Sequence, residues 1–118
     1  MNEITINIFE LIASHAAVST DDGESVFERI EKAFKNDVKV ILDFNNIKLI
    51  TSTFLNSSVG KLYGIYESEF LKSHLGLANM GDDDLVLLKK VVDRAKEYFR
   101  EREKVEKGIR ETFGDENN

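Results

Sequence analysis

Apolar and polar side chains alternate at the start of the chain, with Ile4, Ile6 and Ile8 separated by Thr5, Asn7 and Phe9. A period of two carried by β-branched and aromatic residues predicts a strand, here over Ile4–Ile12. The small polar segment "ASHAAVSTDDG" reads as a loop with room for a short edge strand. The period then changes. Asp21 and Glu24 have the spacing of a capping box, with Asp in place of Ser or Thr, and so predict a helix start. Val26, Phe27, Ile30, Ala33 and Phe34 fall on one face of that helix, which Asn36-Asp37 ends. In "VKVILDF", Val38–Phe44, the successive apolar residues Val40, Ile41 and Leu42 suit a parallel strand buried on both faces.

An Asn45-Asn46 turn and a short "IKLI" lead to a second helix, expected from about Thr51 to Tyr66. Leu55, Val59, Leu62 and Tyr66 give it an apolar stripe. "HLGLANM" reads as a short third strand. Asp82, Asp83 and Asp84 then open a third helix, where negative charge complements the helix dipole. Leu85, Leu88, Val92, Ala95 and Phe99 are its expected buried face. Beyond Phe99 the chain is mostly charged, with Val105, Ile109 and Phe113 at four-residue intervals. This reads as a helical extension past the core, whose thin stripe could pair two chains into a homodimer. Alternating strands and helices imply right-handed crossovers. The expected fold is α/β: a small, mostly parallel or mixed sheet with alternating helices and a long C-terminal helix.

Composition narrows the function classes. At 118 residues the chain has length for one domain and a core of its own. Without cysteine, disulfides, zinc-thiolate sites and cysteine nucleophiles drop out. A net charge of −6 without a segregated basic stretch argues against nucleic acid as partner. No apolar run reaches the roughly 20 residues of a membrane span, and acidic Glu3 stands where a secretory signal would be basic. A cytoplasmic domain is the expectation.

Motifs for catalysis are sparse. His15 and His74 are the two imidazoles, and neither lies in a recognisable hydrolase motif. Gly60 and Gly64 form G-x-x-x-G inside the expected second helix, not a phosphate loop after a strand. Packing against a neighbouring element is the plain reason for such a pair; a bare patch with Ser57 that admits a partner is the functional one. The three aspartates lack the spacing of a calcium loop and read as capping. No cofactor, metal or enzymatic activity is expected.

The segment Ile50-Thr51-Ser52-Thr53 holds three hydroxyls at a helix start, where one suffices for capping. Unpaired N–H groups and the positive end of the dipole would tolerate a phosphate on Ser52 or Thr53. Together with Leu42-Asp43-Phe44 and Ile47, this layout resembles the central element of STAS domains, the anti-sigma-factor antagonist fold. More closely it is similar to the STAS-like bacterial family of unknown function, whose chains carry an "LDF..V..I..SF" block before a helix. Asp21-Asp22-Gly23 matches that family's helix start, and Thr53-Phe54 stands for its "SF" pair. Thr51 replaces the acid of typical STAS domains, and Phe54 the glycine.

The resemblance covers about residues 4–99. It implies a STAS-like domain over residues 1–100 with a charged helical extension over residues 101–118. It also implies a non-catalytic regulatory module that meets a protein partner, such as an anti-sigma factor or a histidine-kinase-like ATP-binding protein. The docking face expected on that reading is Asp43, Asn45, Asn46, Thr51, Ser52, Thr53 and Ser57, with Ser52 and Thr53 as phosphorylation sites. The alternative is a small-ligand or nucleotide sensor, since Asp43, Asn45 and Asn46 sit where open α/β sheets bind ligands.

Overall fold

A computed structural model describes residues 2–109 of the chain. The first strand is shorter than its pattern: β1 covers Glu3–Asn7, and Ile8–Ile12 form a helix, α1. Asn7 is the reason. Its side chain accepts from the Glu10 backbone N–H at 2.9 Å and caps α1, so a local side-chain bond wins over continued pairing. Ala13, in the left-handed region at φ 55°, ends the helix and hands the chain to a two-residue strand, β2 (Ala16–Ala17).

Helix α2 spans Thr20–Phe34, and its cap is Ser19, not Asp21. The Ser19 hydroxyl accepts from Asp22 N at 3.0 Å, while Glu24 faces Lys61 at 3.9 Å. The expected Asp21–Glu24 box therefore does not form, because a better-placed hydroxyl precedes it. Val26, Ile30, Ala33 and Phe34 are buried along α2, as their spacing requires.

Strand β3 (Lys39–Asp43) lies between β1 and β5 (Leu75–Ala78), parallel to both. Its register sets Ile4 and Leu75 beside Val40, and Ile6 and Leu77 beside Leu42. Val40 and Leu42 are buried, whereas Lys39, Ile41 and Asp43 are only partly covered. The strand is thus sealed on one face, not two. The other face carries a Lys39–Glu3 ion pair at 3.8 Å and the Ile41 side chain, which lies over Gly76. A second, two-stranded parallel sheet joins β2 to β4 (Leu49–Ile50).

The expected helix from Thr51 to Tyr66 is broken. Helix α3 is Ser52–Ser58, and a 3-10 turn follows at Gly60–Gly64. Ser57 and Ser58 hydroxyls both bond back to the Phe54 carbonyl, at 3.1 and 2.8 Å, competing with the regular ladder. Gly64 then lets the turn approach the last helix: a Cβ there would lie 2.5 Å from the Phe99 ring. Close packing is the reason for that glycine. A further helix, α4 (Ser68–His74), was not marked by the apolar spacing. Stacking holds it instead, with Tyr66 on Phe70 at 5.0 Å, Phe70 on His74 at 3.8 Å, and the Phe34 ring edge-on to all three. Burial first, and its bond to Glu31 second, raise the Tyr66 phenol above its ordinary pKa.

Helix α5 runs Asp82–Ile109, with the three aspartates in its first turn. Leu88, Val91 and Ala95 are buried against the body of the domain. Leu85 is 40% exposed, so the buried face begins one turn later than its pattern suggests. Val105 is exposed, and Phe113 lies outside the described residues. Among the described residues no helix is long and apolar enough to cross a membrane. Phe54, Ile8, Ile30, Leu42 and Leu55 are fully buried at the centre, each contributing about 1.5–3 kcal/mol by leaving water. The result is a mixed α/β fold with parallel sheets and a long C-terminal helix.

Candidate functional site

The hydroxyl segment after β4 begins from Thr51, which is the cap of α3 and not part of it. Its Oγ1 accepts from Phe54 N at 3.2 Å and donates to the Val18 carbonyl at 2.9 Å. Its backbone N–H donates to Ala17 O at 3.1 Å. Thr51 is therefore fully engaged, tying the start of α3 to the end of β2. Ser52 is half-buried, and Thr53 is exposed at the first turn of the helix. Phe54 is wholly buried and pins the turn to the core.

Upstream, the Asp43 carboxylate accepts from Asn45 N at 2.9 Å and from the Asn79 side chain at 2.8 Å. The first bond is an Asx turn; the second locks the ends of β3 and β5 together. Asn46 adopts φ 68°, a conformation that Asn tolerates better than most residues. Its carbonyl accepts from His15 Nδ1 at 2.7 Å. The His15 carbonyl in turn accepts from Lys48 N at 2.7 Å and Leu49 N at 3.3 Å, and its ring packs on Phe9 at 4.6 Å. One histidine thus holds the whole Asn46–Leu49 turn against α1. Composition and spacing gave no sign of this, since the partners are 31 residues apart.

The surface that results is a rigid ribbon. Asn45, Asn46, Lys48, Leu49 and Thr53 are exposed along it, and Leu49 is 55% exposed although it is a large apolar residue in a strand. Ser57 does not join them. It is 8% exposed, lies against Gly23 of α2, and spends its hydroxyl on Phe54 O. The packing reading of this glycine pair holds at Gly64, which Phe99 covers, and the alternative of a bare patch with Ser57 is closed by the contact of Ser57 with Gly23.

Three residues of hydrolase-triad type meet elsewhere. His74 Nε2 contacts Asp37 Oδ1 at 2.8 Å, and Nδ1 contacts Ser73 Oγ at 2.7 Å. Ser73 and His74 are adjacent on α4, and Ser73 Oγ donates to Phe70 O at 2.9 Å. With His74 buried between Phe34 and Phe70, the cluster clasps α4 to the turn after α2. Asp37, at φ 55°, closes that turn. Among the described residues no group of three or more His, Asp or Glu side chains is placed to hold a metal ion.

Two grooves flank the last helix. One, of about 570 Å³, lies between residues 63–68 and the second half of α5. The other, of about 260 Å³, lies between Asn56, Gly60 and Lys61 on one side and Arg94 and Tyr98 on the other.

Compared with known families, residues 22–85 match the sequence model of the STAS-like domain of unknown function (DUF4325). That match begins at the first turn of α2 and ends in the first turn of α5, so it contains β3, the Asn45–Thr53 ribbon and α3. No curated protein and no solved structure matches the chain.

Proposed function

Because the chain belongs to the family of STAS-like domains of unknown function, we propose that it is a regulatory protein-interaction module without catalytic activity of its own. The docking face is the ribbon from Asp43 to Thr53, with exposed Leu49 as its apolar centre and Asn45, Asn46 and Thr53 around it. The observation that carries this reading is an exposed leucine on a stretch held rigid by His15, Thr51 and Asp43. A preorganised surface loses little entropy on binding. Phosphorylation of Thr53, or of half-buried Ser52, adds about −1.5 to −2 charges beside that leucine and opposes desolvated contact. The partner class is a histidine-kinase-like ATP-binding protein or an anti-sigma factor, and the setting is the cytoplasm. The ligand-sensor alternative is less favoured, since Asp43 at the strand ends is already taken by two donors.

The test is binding of the purified chain to histidine-kinase-like ATP-binding proteins of the same organism, measured by calorimetry. Leu49→Asp and Thr53→Glu are expected to weaken binding at least about tenfold, as loss of a central contact does. Ser57→Ala, inside the fold, is expected to leave it unchanged. Equal binding by all three variants removes this face from the reading.

A further inference from the structure

Helix α5 leaves the body of the domain at Phe99, and residues from Arg100 to Gly108 are all exposed. The molecule is accordingly elongated, 56 Å along its longest axis against 30 and 23 Å. Between this overhang and the Tyr63–Ser68 segment lies the groove of about 570 Å³, walled by Phe99 and by Ile65, which is 56% exposed. The lining is mostly polar and charged, and Ile65 and Phe99 are the apolar part that a partner could cover.

The charges on its helical wall indicate which partner. Along the overhang, opposite charges pair within the helix: Arg102 with Glu106 at 3.2 Å, and Lys104 with Glu101 at 3.6 Å. Arg100 and Glu103 do not. They are one turn apart, opposite in sign and both on the groove wall, yet neither makes an ion pair or a side-chain hydrogen bond among the described residues. A plus and a minus on one helical face are self-complementary under a two-fold axis. An antiparallel copy of the same helix sets Arg100 of each chain against Glu103 of the other, with the axis passing between Glu101 and Arg102. The two bridges then lie about 4.5 Å apart along the helix, at a rise of about 1.5 Å per residue.

We propose that the notch is an interface between two copies of this chain, in which the overhanging helices pack antiparallel and exchange the reciprocal Arg100–Glu103 bridges. The overhang of each copy covers Ile65 and Phe99 of the other. This surface is separate from the Asp43–Thr53 ribbon, so the outcome for one does not decide the other.

Multi-angle light scattering on the full chain tests it, at an ionic strength of about 0.05 M where exposed charges are least screened. The wild-type protein is expected at twice its 13.5 kDa chain mass. Arg100→Glu puts two carboxylates opposite each other, and Glu103→Arg puts two guanidiniums; each variant alone is expected at the mass of one chain. An equimolar mixture restores attraction at both contacts, and is expected to return to the mass of two chains. That rescue separates charge pairing from misfolding, which mixing would not repair. A wild-type protein of single-chain mass overturns the proposal. Single variants that keep the wild-type mass, or a mixture that stays monomeric, overturn the pairing as well.

Discussion

Gly23 stands where α2 comes closest to α3. A Cβ at this position would collide with the Ser57 hydroxyl and lie 2.7 Å from the Phe54 carbonyl oxygen, which is backbone and cannot swing aside. Gly23→Ala is therefore expected to cost about 1–3 kcal/mol, the usual range for overpacking, read from the urea midpoint. Ser57→Ala is expected to cost less than about 1 kcal/mol, the size of one ordinary hydrogen bond, because Phe54 O keeps its bond from Ser58. Recovering only part of the loss in a Gly23→Ala/Ser57→Gly double variant would confirm that the carbonyl is the harder obstacle. The same contact explains why Ser57 faces inward. The sequence shows a glycine and a serine 34 positions apart as unrelated small residues; only the helix crossing makes them neighbours.

Helices α1, α2 and α3 begin where a hydroxyl or amide oxygen, of Asn7, Ser19 and Thr51 in turn, takes an unpaired N–H, whereas α4 starts after Glu67 without a side-chain cap. Thr51 also reaches across to Val18, so it joins two elements as well as starting one. Thr51→Ala is expected to lower stability by about 0.5–2 kcal/mol, the range for a lost cap, while Thr51→Ser, which keeps the oxygen, is expected near wild type. Chemical denaturation checks both, and an equal loss in the two variants would point to the methyl group instead. Helix ends were the least legible part of the pattern. The change from a period of two to a helical spacing locates α2 and α5, but the more familiar spacing of Asp21 and Glu24 hides the cap at Ser19. The break after α3 was hidden for another reason: Leu55, Val59 and Leu62 keep their apolar spacing through it, and all three are buried. Apolar periodicity reports which side faces the core and is blind to a local change of pitch.

Across the molecule, protection should follow the packing of α5. Leu88, Val91 and Ala95 lie against the 3-10 turn and α3, whereas Arg100–Gly108 are exposed along the overhang. In the Arg100→Glu variant, amide exchange over residues 100–106 is expected to be faster than over residues 88–95. In the wild-type protein the paired overhangs should narrow that difference. Uniform exchange along α5 in both proteins would contradict this picture of a helix half inside and half outside its own domain. The parallel sheet shows the same one-sidedness. Among the described residues its Val40–Leu42 face is the buried one, while Ile41 settles on Gly76 across the half-open face. A run of three apolar residues suggested cover on both sides, but hydrophobicity at Ile41 is met by a neighbouring strand rather than by a helix.

By itself the sequence determined the alternation of strands and helices, the amphipathic face of α2, the charged continuation of α5 and the hydroxyls at the start of α3. These depend on neighbours within a few residues, which spacing and capping chemistry encode directly. Only the tertiary structure decided that β3 is covered on one face, that Ser57 points into the α2–α3 contact, and that His15 holds the Asn46–Leu49 turn. Each of those rests on residues from distant segments brought within bonding range, and one-dimensional order carries no record of which faces will meet.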